Sequence, residues 1–152
     1  MGIRIVKAET EHLRPLALCL READRREIKY QGGYSPIRAL RHSLEASIEA
    51  WTAVDDEGPV AMFGYGDYSP LSYHGVFWML GAERVRLYPR AFVKFGPVFI
   101  DEMLRHIESA ENFIMDYNVL ALRFARYLVK INPKRFSVEP HRGNMYRFCA
   151  RR

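Results

Sequence analysis

The sequence predicts an α+β domain built on a mixed central sheet of about six to seven strands, flanked by about four helices. Two observations carry this prediction. Short β-branched runs and segments of helical periodicity follow one another in the order β-α-α-β-β-β-α-β-α-β-β. The 152 residues contain no repeat and no linker-like stretch, and the apolar share of 49% suits one buried core. Residues 1–152 are therefore expected to form a single domain.

The first half of the chain reads as one strand, two helices and a hairpin. Residues 3–7 are rich in β-branched side chains and predict the first strand. Apolar residues at helical spacing predict one helix over residues 10–30, which the following glycines end. Ser35 caps a second helix that has Pro36 in its first turn. Two strands then flank a turn at residues 55–58.

The second half begins with a buried strand at residues 75–80 and a basic connection at 84–90. Residues 89–108 have a helical apolar face, but Gly96 and Pro97 predict that this helix kinks or restarts. The remaining predicted elements are a strand at 112–117, a helix at 120–128, and closing strands at 135–139 and 145–149.

Composition excludes several classes of protein. No run approaches the roughly 20 apolar residues of a membrane span, and the first residues lack the apolar run of a signal peptide, so the chain is expected in a cytoplasm. Cys19 and Cys149 predict reduced thiols buried in the core, and the five scattered histidines predict no metal site. A net charge of +5 permits, without requiring, a partner that carries phosphates or carboxylates.

One short motif connects the chain to a known superfamily. Asn118 follows the predicted fifth strand, Ala121 comes three residues later, and Phe124 and Leu128 continue a helix. This pattern, together with the element order, resembles the GNAT fold of acyl-CoA N-acyltransferases. A departure occurs at residues 134–136, which replace the Gly-Phe that usually opens the next strand. The resemblance implies a GNAT-like domain and, if the protein is an enzyme, acetyl-CoA as cofactor.

The resemblance also assigns a phosphate-binding turn to residues 84–91. In GNAT enzymes glycines and free N–H groups at this place bind the cofactor pyrophosphate. This chain has no glycine there, and Pro89 lacks an N–H. Three arginines and one lysine could hold phosphates by side chain instead; alternatively they form a solvated basic loop, or contact a partner protein or nucleic acid. These residues are Arg84, Arg86, Arg90 and Lys94.

The catalytic acid of GNAT enzymes is not in its usual place. Many of them carry a Tyr seven residues after the Asn, where it protonates the leaving thiolate. That position is Ala125 here, and Tyr127 lies about 200° further around the helix. Asn118 and Tyr127 are the candidate catalytic residues, although helix capping explains Asn118 better than cofactor binding does. The scaffold is therefore predicted to persist without acetyl-CoA chemistry or a bound cofactor.

A narrower resemblance extends over nearly the whole chain. It is carried by residues 11–13, 21–24, 51–53, 59–64, 78–81, 101–104, 112–118 and 143–148. Together these segments resemble a family of GNAT-like proteins of short-tailed phages, grouped with internal virion proteins and implicated in virion morphogenesis. The resemblance implies a structural or assembly role, with internal core, portal or tail proteins as partners. It also implies a location in the host cytoplasm during assembly or in the virion.

Three tyrosines offer candidate contacts for such a partner. Tyr65 ends the predicted strand 59–65, Tyr68 and Tyr73 lie in the predicted loop at residues 66–74, and Tyr is favoured in the cores of protein interfaces. An active N-acetyltransferase with an unusual phosphate site is the alternative function. Nucleic-acid binding is not favoured, because aromatic residues interleave poorly with the arginines of the basic segment and of the C-terminal end.

Overall fold

The computed structural model describes residues 2–68 and 71–152. Within these described residues seven strands lie in one mixed sheet of order β1-β2-β3-β4-β5-β7-β6, accompanied by five α-helices and two 3-10 turns. The strands are β1 (Arg4–Lys7), β2 (Glu49–Asp55), β3 (Gly58–Asp67), β4 (His74–Gly81), β5 (Ser109–Met115), β6 (Phe136–Pro140) and β7 (Met145–Arg151). The helices are α1 (Leu13–Leu18), α2 (Glu22–Gln31), α3 (Pro36–Ala46), α4 (Pro89–Met103) and α5 (Val119–Ile131). The predicted sheet is confirmed.

The chain divides into two compact units. The first unit is residues 1–66 with 78–91, and the second unit is residues 67–77 with 92–152. In the first unit the predicted helix over residues 10–30 is wrong, because α1 and α2 are separate. The backbone leaves the helix after Leu18, Leu20 then bridges Ala82, and the Arg21 N–H donates to the Gly81 carbonyl at 2.8 Å. These contacts join residues that are far apart in the sequence, and they outweigh local helix propensity.

The predicted cap, helix end and hairpin of the first unit are confirmed. Ser35 caps α3 by accepting the Arg38 N–H at 3.4 Å, and α2 ends before Gly33, whose φ is +68°. β2 and β3 form the expected hairpin, with Gly58 at φ +120° in its turn. One core cluster joins α1, α3 and β3; its buried members are Leu13, Leu16, Ala17, Leu20, Leu40, Met62 and Ala82.

In the second unit the beginning of β4 pairs parallel with β5, and β5, β7 and β6 follow as antiparallel neighbours. Phe148 is central to the core of this unit, because its ring lies 5.5 Å from that of Phe77 and 6.0 Å from that of Phe136. Helix α4 is continuous through Gly96 and Pro97, so of the two predicted outcomes, a kink or a restart, the restart is wrong. A Cβ on Gly96 would come within 2.4 Å of the Phe124 ring, so the glycine lets α4 and α5 approach.

Both cysteines are free thiols, as predicted, but only Cys149 is buried, whereas Cys19 is partly exposed. Its Sγ donates to the Pro15 carbonyl at 3.2 Å. No helix within the described part of the chain is long and apolar enough to cross a bilayer.

Candidate functional site

Residues 82–91 follow β4 and include residues 84–91, the segment that the GNAT resemblance assigns to cofactor phosphates. The Gly81 N–H donates to the Asp24 carboxylate at 2.9 Å, and the Ala82 N–H donates to the Val60 carbonyl at 2.8 Å. A 3-10 turn at Glu83–Leu87 closes the next residues, and the Val85 and Tyr88 N–H groups donate to carbonyls three residues earlier. Within residues 81–91 no three consecutive N–H groups are free. The backbone here does not fit a pyrophosphate cradle.

Arg84 is engaged within the protein. Its guanidinium binds Asp55 through two hydrogen bonds and also donates to the Gly58 and Pro59 carbonyls. Tyr88 adds a third hydrogen bond to Asp55, at 2.8 Å from its hydroxyl. The bonds from Arg84, then that from Tyr88, outweigh burial and lower the pKa of Asp55 to about 2. Arg84, a predicted cofactor-binding residue, therefore binds and stabilises the turn between β2 and β3.

The other basic candidates are available on the surface. Arg86 and Arg90 are exposed, the first in the 3-10 turn and the second in the first turn of α4. Lys94 is also exposed, and its ammonium lies 5.3 Å from the centre of the Phe95 ring. These cations can meet an anionic group by side chain, whereas the backbone beside Arg86 cannot.

Asn118 and Tyr127 lie at different depths on α5. Asn118 is buried at 3% exposure and caps the helix by accepting the Ala121 N–H at 3.4 Å, as the capping prediction expected. Tyr127 is 38% exposed. Ala125, which stands where many GNAT enzymes carry the catalytic Tyr, is buried at 1% exposure and has no proton to donate.

The three candidate tyrosines are not equivalent. Tyr65 lies in β3 with no exposed surface, and its hydroxyl donates to Glu49 at 3.0 Å, so the prediction that it contacts a partner is wrong. β3 is buried on both faces over most of its length, so the ring of Tyr65, the last residue of the predicted strand 59–65, lies in the core. Tyr73 is 69% exposed and Tyr68 is 55% exposed.

Tyr68 belongs to a polar cluster that the sequence reasoning missed. Its hydroxyl donates to the buried carboxylate of Glu111 at 2.6 Å, and its ring stacks on His74 at 5.6 Å. The Arg147 guanidinium donates to the other carboxylate oxygen of Glu111. The His74 Nε2 lies 3.4 Å from Glu111, and its Nδ1 shares a hydrogen bond of 2.6 Å with Ser109 Oγ. The only sequence signal was the strand spacing that puts Ser109 and Glu111 on one face.

Electrostatics within this cluster favour a charged Glu111. Burial alone raises the pKa of its carboxyl, but hydrogen bonds from Tyr68, Arg147 and His74 outweigh burial and lower it. Withdrawal of the Tyr68 hydroxyl from water, together with its bond to Glu111, raises the pKa of Tyr68 to about 12. Both groups therefore keep one charge state at neutral pH.

Hydroxyl, imidazole and carboxylate here follow the order of a nucleophilic triad. Such chemistry also needs N–H donors for an oxyanion. The backbone N–H groups of Glu108 and Ser109 both point to the Tyr73 carbonyl, at 2.7 Å and 3.4 Å. The cluster thus fastens Tyr68 and β4 to β5, and it offers no oxyanion site at these two groups.

Comparison with known proteins places the fold. No protein-family model matches the sequence, and neither does any curated protein. Among solved structures, a protein from Pyrococcus horikoshii has a TM-score of 0.71 at 13% identity, with 99% of each chain covered. The PaiA N-acetyltransferase from Thermoplasma acidophilum, in complex with coenzyme A, has a TM-score of 0.66 at 14% identity, with both chains fully covered. A GCN5-related N-acetyltransferase from Kribbella flavida has a TM-score of 0.65 at 17% identity, covering 99% of this chain and 98% of that one. This chain has a GNAT-like fold.

Proposed function

We propose that this chain is a non-catalytic protein with a GNAT-like fold that acts through protein–protein contacts in the assembly of a short-tailed phage virion. One observation carries the loss of acetyl-CoA chemistry: the N–H groups at Gly81, Ala82, Val85 and Tyr88 already have acceptors within the protein. Binding of a pyrophosphate by free backbone N–H groups would require this segment to unfold its 3-10 turn.

The position of the expected proton donor supports the same conclusion. Ala125 cannot protonate a thiolate, and Tyr127 lies on another side of α5. Arg84, which could have replaced the missing N–H groups, is bound by Asp55. The chain thus combines an intact scaffold with a phosphate segment and a helix that lack the usual chemical groups.

The assembly role rests on the sequence resemblance to GNAT-like proteins of short-tailed phages. It implies internal core, portal or tail proteins as partners, met in the host cytoplasm while the particle is built. Exposed Tyr73 and Lys94 are available for such contacts. A tyrosine ring supplies apolar area with little loss of side-chain entropy, which suits a protein interface.

An active N-acetyltransferase is the second candidate function. It is favoured by the exposure of Arg86 and Arg90 and by the coenzyme A bound to the structurally similar PaiA protein. In this alternative the two arginines would hold the cofactor phosphates by side chain.

Thermal unfolding with and without millimolar acetyl-CoA separates the two functions. A ligand at about 100 times its dissociation constant adds about 2.7 kcal/mol, which raises Tm by several degrees in a domain of this size. We expect no shift. A clear rise that disappears in an Arg86→Ala/Arg90→Ala variant would establish the enzyme alternative instead. Quantitative mass spectrometry of purified virions and assembly intermediates tests the assembly role, and absence of the chain from both would refute it.

A further inference from the structure

The solvent side of α5 carries positive charge and no negative charge. Its 13 residues include three cations and no Asp or Glu, although acidic residues are common elsewhere in the chain. All three cations are exposed; they are Arg123, Arg126 and Lys130. The opposite side of the helix is committed to the core through Leu122, Ala125 and Leu128. This packing fixes the orientation of the helix, so the three cations stay on the surface.

Apolar side chains lie beside these cations on the same helix. Leu120 is 38% exposed, Tyr127 is 38% exposed and Ile131 is 51% exposed. At 100° per residue the three fall within about 40° of one another around the axis, next to the stripe of cations. We call these six residues the α5 face; its members are Leu120, Arg123, Arg126, Tyr127, Lys130 and Ile131.

The charge of the α5 face is not neutralised by the rest of this unit. Arg135 pairs with Asp101, and Arg105 pairs with Glu102 at 3.5 Å. Within residues 2–68 and 71–152, by contrast, no ion pair involves any cation of the α5 face. Arg126 has an aromatic neighbour, the Tyr146 ring, whose centre lies 5.4 Å from the guanidinium carbon.

We propose that the α5 face docks an acidic, amphipathic segment of a partner protein. This inference rests on the proposed function, since it names the surface and the chemistry of the partner. Carboxylates of such a segment would meet the three cations, and its apolar side chains would cover the stripe of Leu120, Tyr127 and Ile131. Complementary charge would set orientation and association rate, while burial of the stripe would supply affinity.

Two other macromolecules fit the α5 face less well. Nucleic acid would use the cations and could stack a base on Tyr127, but Leu120 and Ile131 offer no flat surface for further bases and would stay uncovered. A membrane-bound helix immerses a broad apolar side. In α5 that side is already occupied by the core of the protein, and what remains exposed is a narrow stripe.

The test uses the full chain labelled with 15N and a synthetic peptide of about 15 residues, with Leu at helical spacing and Glu elsewhere. We expect saturable chemical-shift changes centred on α5 and a dissociation constant at least about tenfold lower than that of either control peptide. One control replaces Glu by Gln, and the other replaces Leu by Ser. Equal binding of a control peptide would overturn the proposal. So would tighter binding of a duplex DNA oligonucleotide or of phosphatidylserine vesicles, and so would shifts located elsewhere.

Charge reversal locates the site. Arg123→Glu/Lys130→Glu should weaken peptide binding at least about tenfold, and Tyr127→Ser should weaken it with the charge unchanged. The matched control is Arg38→Glu/Arg41→Glu on the exposed side of α3. If circular dichroism shows that the charge-reversal variant is unfolded, the milder Arg123→Gln/Lys130→Gln variant takes its place. Unchanged binding in folded α5 variants would reject this surface, whereas incorporation into virions tests the proposed function separately.

Discussion

The guanidinium of Arg84 binds the carboxylate of Asp55 side by side, with Nε 3.1 Å from Oδ2 and Nη2 2.9 Å from Oδ1. This pair ties the β2–β3 turn to the 3-10 turn after β4, within the first unit. Arg84, which the sequence analysis considered for binding cofactor phosphates, is therefore a structural residue. Its energetic effect can be measured through pH.

Asp55 should make the free energy of unfolding depend on pH in the acidic range. Its pKa falls from 3.8 to about 2 on folding, so the folded state favours the charged form. The resulting stabilisation is present above pH 3.8 and is lost as the pH falls through about 2. We expect Asp55→Asn to lower the free energy of unfolding at pH 7 by roughly 1 to 2 kcal/mol, allowing for solvent screening, with the difference from wild type shrinking between pH 4 and 2. Urea unfolding across this range is the measurement. Asp56→Asn, in the same turn but exposed, is the control, and a difference independent of pH would contradict the assignment.

Thr52 should gain stability when its hydroxyl is removed. The side chain has no exposed surface, and its Oγ1 has no hydrogen-bond partner among the described residues. A buried hydroxyl without a partner costs free energy, and valine has nearly the same shape. Thr52→Val should therefore raise the free energy of unfolding by about 1 kcal/mol in urea titrations. Thr52→Ser, which keeps the hydroxyl and loses the methyl group, should lower it. A destabilised Thr52→Val would show that the hydroxyl is satisfied in solution.

Features that depend on near neighbours could be predicted from the sequence, and features that depend on distant pairing could not. The caps at Ser35 and Asn118 involve N–H groups three residues away, so local pattern suffices. The break between α1 and α2 depends on Leu20 meeting Ala82, which no local window contains.

The polar cluster of the second unit illustrates the same limit. It forms because the parallel register of β4 and β5 sets His74 opposite Ser109, and strand alternation then brings Glu111 to the same side. The buried position of Tyr65, the last residue of the predicted strand 59–65, was missed for a related reason, since its surroundings depend on the pairing with β2, which sets Glu49 opposite Tyr65.

Gly96 and Phe124 should show strong energetic coupling. Alanine normally favours a helix over glycine by about 1 kcal/mol, but its Cβ at position 96 would lie 2.4 Å from the end of the Phe124 ring. We expect Gly96→Ala to be destabilising in the wild-type background and stabilising in the Phe124→Leu background. A double-mutant cycle in urea should give an interaction energy of at least about 1 kcal/mol. Additive effects would mean that the ring moves aside at no cost.

Asn118 should act as a cap and not as a cofactor ligand. Asn118→Ala is expected to lower the free energy of unfolding by about 1 kcal/mol, because the Ala121 N–H loses its acceptor. Asn118→Asp keeps a side-chain oxygen at the helix N-terminus and should recover most of that loss. Thermal unfolding of both variants with and without acetyl-CoA is the measurement. A rise in Tm with acetyl-CoA that occurs in wild type and is absent only in the Asn118 variants would contradict a purely structural role.

Asp24 should be among the most sensitive positions of the first unit. Its side chain is 2% exposed and accepts the Gly81 N–H as well as two hydrogen bonds from Arg21, at 2.9 Å and 3.0 Å. Asp24→Ala leaves a largely buried guanidinium without this carboxylate, a change that typically costs 3 to 5 kcal/mol, roughly. Asp24→Asn keeps an oxygen for the Gly81 N–H and should cost about half as much. Urea unfolding should therefore rank wild type above Asp24→Asn and Asp24→Ala last; equal stability of the two variants would mean that the Gly81 hydrogen bond contributes little beside the Arg21 pair.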